Sequence, residues 1–597
     1  MDRRTFLKTT ASAVGLTAVG SLIAQDNKPM ISNRPNVVLI MTDDQGWGDI
    51  HSHRNEVIDT PTLDRLAADG ARFDRFYVSP VCAPTRASLL TGRYYPRTGV
   101  HGVTRGYETM REREVTFAEV FRREGYATGC FGKWHNGAHY PHHPNGQGFD
   151  RFVGFTAGHW NNYFDTELDY NGTPISPEGY ITDVLTDYAL DFIEENRDKN
   201  FLCYVPYNAP HSPWQVPDAY FNKYKSRGLD DTLATAYGMV ENIDDNVKRI
   251  LDKLDALDLA NDTIVIFLTD NGANTDRYDG NMRGRKGSVH EGGVRVPFFI
   301  RWPGQISSGR TLEPIAAHID VLPTLIDLCK IQNAGTLPMD GVSLAPLVLD
   351  EDPVWRFDDR KLYTFRNDAS KDNPGAVRTQ RWRAVYERDE TWSLFDMQKD
   401  PEEDNDVSGK YPKVLSELRD AYRDTVKSVT QDGFDPIPTQ VGHIQAPLVE
   451  LPGHEAFLSP AKGEGISYQG SSGWANDWVT NWTDTDSYPY WPIEVVRDGR
   501  YEISLLYVCP EDDVGARFRV EVGGQSVDDT IEEPHNPPHL PSPDRVERKE
   551  VYEKIWKPKT VGVVELKKGL TEIAVKALSK PGKQVMDLKA VRLLKVR

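Results

Sequence analysis

The chain reads as an α/β protein: a mixed, mostly parallel sheet flanked by helices, then a small α+β subdomain, then an appended all-β sandwich. Three observations predict this. Asn36-Val37-Val38-Leu39-Ile40-Met41 and Thr263-Ile264-Val265-Ile266-Phe267-Leu268-Thr269 are unbroken apolar runs, the pattern of parallel strands covered on both faces. Between them lie helical patterns such as Pro61-Thr62-Leu63-Asp64-Arg65-Leu66-Ala67-Ala68 and Thr116-Phe117-Ala118-Glu119-Val120-Phe121-Arg122-Arg123, and strands alternating with helices specify an α/β sheet. Towards the carboxy terminus the chain changes to short runs between Gly-rich turns, Tyr501-Glu502-Ile503-Ser504-Leu505-Leu506-Tyr507 and Phe518-Arg519-Val520-Glu521-Val522, which marks a sandwich.

In order along the chain, Met1-Asp2-Arg3-Arg4-Thr5-Phe6-Leu7-Lys8 leads into an Ala/Gly/Val/Leu-rich stretch ending near Ala24. Residues 1–25 therefore read as a cleaved signal of the twin-arginine type. Ser12, Gly15, Thr17, Gly20 and Ser21 dilute the run, whereas a membrane span needs about 20 predominantly apolar residues, so no stable membrane anchor is expected. Export folded, to the periplasm or beyond, follows. Residues 34–359 form the α/β domain. From Arg360 the pattern shifts, and 360–434 is taken as the subdomain. The Pro-containing 435–452 segment reads as a linker, and 453–597 as the sandwich.

The chain has 597 residues, a formal charge of −19 and five cysteines, ample for more than one core. The first 25 residues carry a net +2, so the remainder stands at −21. Such a field disfavours nucleic acid, and an anionic substrate must be drawn to a local basic pocket. Cys82, Cys130, Cys203, Cys329 and Cys509 are odd in number without close pairing, so disulfides are not required.

The chemistry is concentrated in short motifs. Asp43-Asp44 and Asp270-Asn271 each follow an apolar strand, and side chains at the carboxyl ends of parallel strands converge on the ligand crevice of an α/β sheet. Three carboxylates and an amide oxygen are hard donors, suited to Ca²⁺ or Mg²⁺ rather than zinc. Taken singly, each pair fits a helix cap or a turn equally well. Cys82 lies in Val81-Cys82-Ala83-Pro84-Thr85-Arg86, followed by Leu90-Thr91-Gly92-Arg93; a buried structural thiol is its ordinary alternative.

The frame Cys-x-Pro-x-Arg with its Leu-Thr-Gly-Arg sequel resembles the signature of the type I sulfatases of the alkaline phosphatase superfamily. Phe131-Gly132-Lys133-Trp134-His135, Ala209-Pro210-His211-Ser212-Pro213 and Lys286-Gly287-Ser288-Val289-His290-Glu291-Gly292-Gly293 are similar to further elements of that family, in the family's order. The resemblance spans roughly Pro35 to Ser408, with Thr85 and Asn136 as small departures. It implies a sulfuric ester hydrolase whose Cys82 is oxidised to formylglycine (3-oxoalanine) by a cytoplasmic maturation enzyme before export. The hydrated aldehyde would attack sulfur, and its second hydroxyl would expel sulfate. Calcium would be held by Asp43, Asp44, Asp270, Asn271 and the modified Cys82. Arg86 would favour ionisation of the nucleophile, Lys133 would hold a sulfate oxygen, and His135 would accept the formylglycine proton. His211 and Lys286 would share the bridging oxygen. The same scaffold also serves phosphonate and phosphate ester hydrolases, and a catalytically dead glycan-binding protein is the non-enzymatic alternative.

For the substrate, His101, Arg105, His142 in the run His139-Tyr140-Pro141-His142-His143, and Trp160 in the segment His159-Trp160-Asn161-Asn162 offer rings and donors suited to a sugar, pointing to a sulfated oligo- or polysaccharide and a part in polysaccharide degradation. In the sandwich, Trp474, Trp478, Trp482, Tyr488, Tyr490 and Trp491 are dense enough to stack on sugars, as in carbohydrate-binding modules, or to fill a core. The loop Asn536-Pro537-Pro538-His539-Leu540-Pro541 is expected to lie against the catalytic face.

Overall fold

The computed structural model describes residues 34–351, 357–388, 391–461, 463–470 and 472–596; the expected signal, 1–25, lies outside them. The two apolar runs become neighbouring strands, Asn36–Thr42 and Thr263–Thr269, with every residue buried. They pair in parallel from Asn36 opposite Thr263 to Thr42 opposite Thr269. This equal register sets the residues that follow, 43–44 and 270–271, side by side.

Strand Phe201–Pro206 pairs in parallel with the other edge of Asn36–Thr42, and Ala127–Lys133 lies beyond it. The ten-stranded sheet is mixed, because Phe298–Arg301 runs antiparallel to Thr263–Thr269 and a short hairpin of Leu168–Tyr170 and Thr173–Ile175 ends one side. Helices cover both faces. One face packs Leu39 and Met41 with Phe117 and Phe121, and the other packs Val38 and Ile40 with Leu63, Leu66 and Ile243. Both helices expected from the pattern form, as Pro61–Ala68 and Phe117–Arg123. Thr116 starts the second: its hydroxyl accepts from the Glu119 amide at 3.2 Å, while Glu119 accepts from the Thr116 amide at 2.9 Å, a reciprocal cap.

A four-stranded antiparallel sheet, Leu362–Phe365 through Trp392–Asp396, follows with helix Pro412–Val429. It has no separate core: Phe365, Val377, Leu394 and Tyr422 join the hydrophobic cluster of the main sheet. The sandwich does have one, built from residues such as Ile503, Phe518 and Val591 between its two sheets.

The 435–452 segment is not a linker. Thr439–Val441 pairs in parallel with Tyr488–Val495, and Leu448–Pro452 pairs antiparallel with Asp587–Val596. Val441, Val449 and Leu451 are at most 2% exposed inside the sandwich core. The prolines mislead because Pro438 and Pro447 stand just before these strands and Pro452 closes one, positions where a missing N–H is tolerated. The aromatic set is also mostly core. Trp478, Trp482 and Trp491 are buried, with indole N–H groups of the last two donating to the Ser487 and Pro452 carbonyls, each at 2.8 Å. Trp474 alone of the four tryptophans is exposed, at 45%. All five cysteines are free and buried. No helix among the described residues is long and apolar enough to cross a membrane.

Because Leu451 belongs to the sandwich core, Leu451→Ala should cost about 2–5 kcal/mol of sandwich stability, read as an earlier denaturant transition. A linker position would leave the transition unmoved.

Candidate active site

Cys82 is the first residue of helix Cys82–Thr91 and is buried. Arg86 follows at i+4, so both side chains share one helix face. The Arg86 guanidinium, fully buried, donates through Nε and Nη2 to Asp270 Oδ2 at 3.1 and 2.8 Å and through Nη1 to the Lys133 carbonyl at 2.8 Å. One side chain thus ties the Cys82 helix to the ends of two strands. Thr85 secures the approach, accepting from the Ser79 amide and donating to the Ser79 carbonyl. Asn136, where the family pattern has an apolar residue, donates to the Ala83 carbonyl at 3.1 Å and so fixes the helix start.

Lys133, ending its strand, places Nζ 2.5 Å from Asp43 Oδ2. Lys286 Nζ lies 2.6 Å from Asp44 Oδ1, and His211 Nε2 is 3.6 Å from Asp44 Oδ2. Asn271 Nδ2 donates to Asp44 Oδ1 at 2.7 Å, and the Asp44 amide donates to Asp270 Oδ1 at 3.2 Å. Asp44 holds a positive φ of 65°, and Arg277 supports it by donating to its carbonyl at 2.6 Å while pairing with buried Asp49.

Burial disfavours ionised Asp43, yet Lys133, His211 and Arg86 overcome it and hold the carboxyl well below the usual range. Asp44 is likewise lowered against its burial, by Lys286 and His211. Burial and the neighbouring Asp43 push Asp270 upward, against the opposing charges of Arg86 and Lys133. Lys286 stays protonated despite burial because Asp44 and Cys82 raise its pKa. His135, at φ 64°, is driven down to about 3 by burial and then by Lys133. Its Nε2 meets the Val103 carbonyl at 3.0 Å and its Nδ1 has no partner. Gly158 packs beneath this ring; a Cβ there would come within 2.7 Å of Nε2.

A metal fits this donor set. Asp43 Oδ1, Asp44 Oδ2 and Asn271 Oδ1 are buried oxygens without hydrogen-bond partners, and Asp43, Asp44 and His211 present ligand atoms within 4.8 Å of one another. Hard oxygens left unsatisfied at buried positions are what a hard divalent cation requires.

The sulfatase family profile matches residues 35–331, and the carboxy-terminal profile described as N-sulphoglucosamine sulphohydrolase matches 285–428. Mouse N-acetylgalactosamine-6-sulfatase is 32% identical over 389 residues, 59% of this chain and 71% of that protein. The chain belongs to the sulfatase family. It is a sulfuric ester hydrolase of the alkaline phosphatase superfamily. Among solved structures, Ps i-CgsB in complex with k-i-k-neocarrahexaose has a TM-score of 0.62 at 29% identity, covering 68% of this chain and 95% of that one. BT4656 in complex with its substrate D-glucosamine-2-N,6-O-disulfate has a TM-score of 0.55 at 22% identity, covering 68% and 99%, and shares the fold.

All the catalytic and metal candidates of this sulfatase converge, but the substrate candidates do not. His142 is buried, and the Trp160 ring stacks on Phe155 at 5.2 Å while its N–H donates to Thr166. Arg105 is spent on the sandwich, donating to the Gly473 carbonyl and lying over Tyr468. His101 packs between Tyr107 and Phe434. Apolar or interdomain packing has claimed side chains whose chemistry alone suggested a sugar.

His159, in a segment whose rings and donors suit a sugar, stacks parallel to His211 with ring centroids 6.0 Å apart. One residue was missed. Arg366, from the 360–434 subdomain, has Nη2 3.8 Å from where a Cβ on Gly287 would stand and has no ion-pair partner among the described residues. Burial lowers its pKa, and no motif marks it. Glu291 of the Glu-Gly-Gly element is structural: it takes Arg383 at 3.0 Å, Arg378 at 3.4 Å and the Tyr77 hydroxyl at 3.0 Å, binding the subdomain to the loop of Lys286.

Removing the Arg86 bridge leaves Asp270 buried beside Asp43 without compensation. Arg86→Ala should therefore destabilise the fold by about 3–5 kcal/mol and abolish turnover. Urea unfolding with parallel rate measurements would expose the error if the variant kept wild-type stability.

Proposed function

We propose that this sulfatase removes sulfate from a sulfated carbohydrate, with Cys82 converted to formylglycine and calcium at Asp43, Asp44, Asp270 and Asn271. The observation that carries this reading is the buried meeting of the Cys82 helix start with Arg86, Lys133, Lys286 and the unpartnered oxygens of Asp43, Asp44 and Asn271. The saccharide class draws support from Ps i-CgsB, solved with k-i-k-neocarrahexaose. Export by the twin-arginine route, after maturation in the cytoplasm, is part of the same proposal and rests on Arg3-Arg4.

Formylglycine supplies a hydrated aldehyde as nucleophile, and a bound divalent cation supplies charge compensation for the sulfuryl oxygens. The chain's own groups do the rest. Lys133 Nζ and Lys286 Nζ, both beside the aspartates, orient the sulfate oxygens and offset their charge. The Ser212 carbonyl accepts from His211 Nδ1 at 2.7 Å, leaving Nε2 to carry the proton for the departing oxygen. His135, neutral through burial, offers Nδ1 as the proton acceptor when sulfate is released. General acid and base assistance of this kind is worth about 10²–10⁴-fold.

Peptide mass analysis of protein produced with a maturation system should find the aldehyde at position 82, and Cys82→Ala should have no measurable turnover. A fully active preparation carrying unmodified cysteine would sink the formylglycine assignment, and faster turnover of a matched phosphonate ester would sink sulfate as the preferred substrate.

Metal removal should abolish activity and lower the melting temperature, because Asp43 and Asp44 would lose a counter-charge. Calcium should restore both. Elementally verified metal-free enzyme at full rate would refute the metal site.

A further inference from the structure

Three loops around the site are bonded to the sandwich, which lies beyond both family matches. On the first, Arg105 meets the Gly473 carbonyl at 3.2 Å and the Gly106 amide donates to Glu455 at 3.1 Å. On the second, Asn476 Nδ2 donates to the His159 carbonyl at 2.9 Å, Asn161 Nδ2 to Glu553 Oε2 at 2.9 Å, and Arg548 Nη1 to the Asn161 carbonyl at 2.6 Å. On the third, Ser212 Oγ donates to Glu550, Gln215 Nε2 to Asp544 Oδ1 at 2.8 Å, and the Arg545 amide to the Trp214 carbonyl at 2.8 Å. The contact runs through 542–553 of the long loop, displaced from the expected 536–541. Asn476 and Arg548 are at most 9% exposed, so these bonds are shielded from water.

The loops so held carry His159 and His211. His159 is 6% exposed and its Nε2 has no partner; His454, a sandwich residue at 7% exposure, has an Nδ1 without one. His159 and His454 lie close enough for their charges to interact with each other and with that of His135. Buried polar atoms left unpaired cost stability and are rare in native folds, so two of them beside a sulfate site mark a place where a ligand supplies the partners.

We propose that His159 and His454 form a subsite, closed by the docked sandwich, that hydrogen-bonds neutral hydroxyl groups of the sugar bearing the sulfate. Asn476, Arg548 and Glu553 act on it as positioning residues. Burial lowers the pKa of both imidazoles, His454 to about 3; with His454 Nε2 3.4 Å from Glu455 Oε1, its free Nδ1 is left to accept from a hydroxyl, the complement of a neutral group rather than of a second anion. The inference rests on the carbohydrate reading above.

The test uses the full-length matured enzyme, 4-nitrophenyl sulfate, and a panel of monosulfated hexoses and N-acetylhexosamines. His454→Ala should raise KM for the cleaved sugar about three- to tenfold more than for the aryl ester, the worth of one net hydrogen bond. His454→Gln, which keeps a donor and an acceptor, should recover most of that loss at an unchanged melting temperature. If His454→Ala does not fold, Asn476→Ala is read the same way. Equal KM changes on both substrates, or none, overturn the subsite while leaving the carbohydrate reading intact. Aryl sulfate turnover with no sugar cleaved or competing overturns the carbohydrate reading and the subsite together.

Discussion

The structure depends on a concentration of buried negative charge at the carboxyl ends of two adjacent strands. Asp43, Asp44, Asp49 and Asp270 are fully buried within one region. A unit charge pair at 4 Å is worth about 4 kcal/mol at an effective dielectric of 20, so these groups could not remain ionised without compensation. Four cations from four segments supply it: Arg86 from the Cys82 helix, Lys133 from a strand end, Arg277 and Lys286 from loops. Each cation is also a structural tie, which is why assembling the site and closing the fold are one event.

The compensation is incomplete in a specific way. The arginine, lysine and amide donors nearby are directed at Asp43 Oδ2, Asp44 Oδ1 or the oxygens of Asp270, while Asp43 Oδ1, Asp44 Oδ2 and Asn271 Oδ1 accept no hydrogen bond. The protein uses its cations to hold the carboxylates apart and keeps one oxygen of each available. Lys286, paired this way with Asp44, remains charged, and so can meet an anion without first acquiring a proton.

The sandwich is joined to the catalytic domain by buried polar bonds rather than by a tether. Its own hydrophobic core is separate, so it can be a folding unit in its own right while its contact surface shapes the loops of His159 and His211. Three of its four tryptophans expected to stack on sugars are instead committed to packing.

The sequence by itself determined the adjacent strands Asn36–Thr42 and Thr263–Thr269, the helices Pro61–Ala68 and Phe117–Arg123, and, through the sulfatase resemblance, which residues to look for at the site. These are legible because periodicity follows local geometry and because the chemistry demands particular residue types at strand and helix ends. Tertiary structure decided the rest. The prolines of 435–452 could not reveal that Val441, Val449 and Leu451 face a core, since pairing with strands 54 to 144 residues away leaves no local mark. Nor could composition show that Trp160 and Arg105 are engaged by packing and His142 is buried, or that His159 comes to stack on His211 and Arg366 to lie by Gly287. An aromatic or cationic side chain is compatible with either fate, and the choice is made by which distant surface buries it.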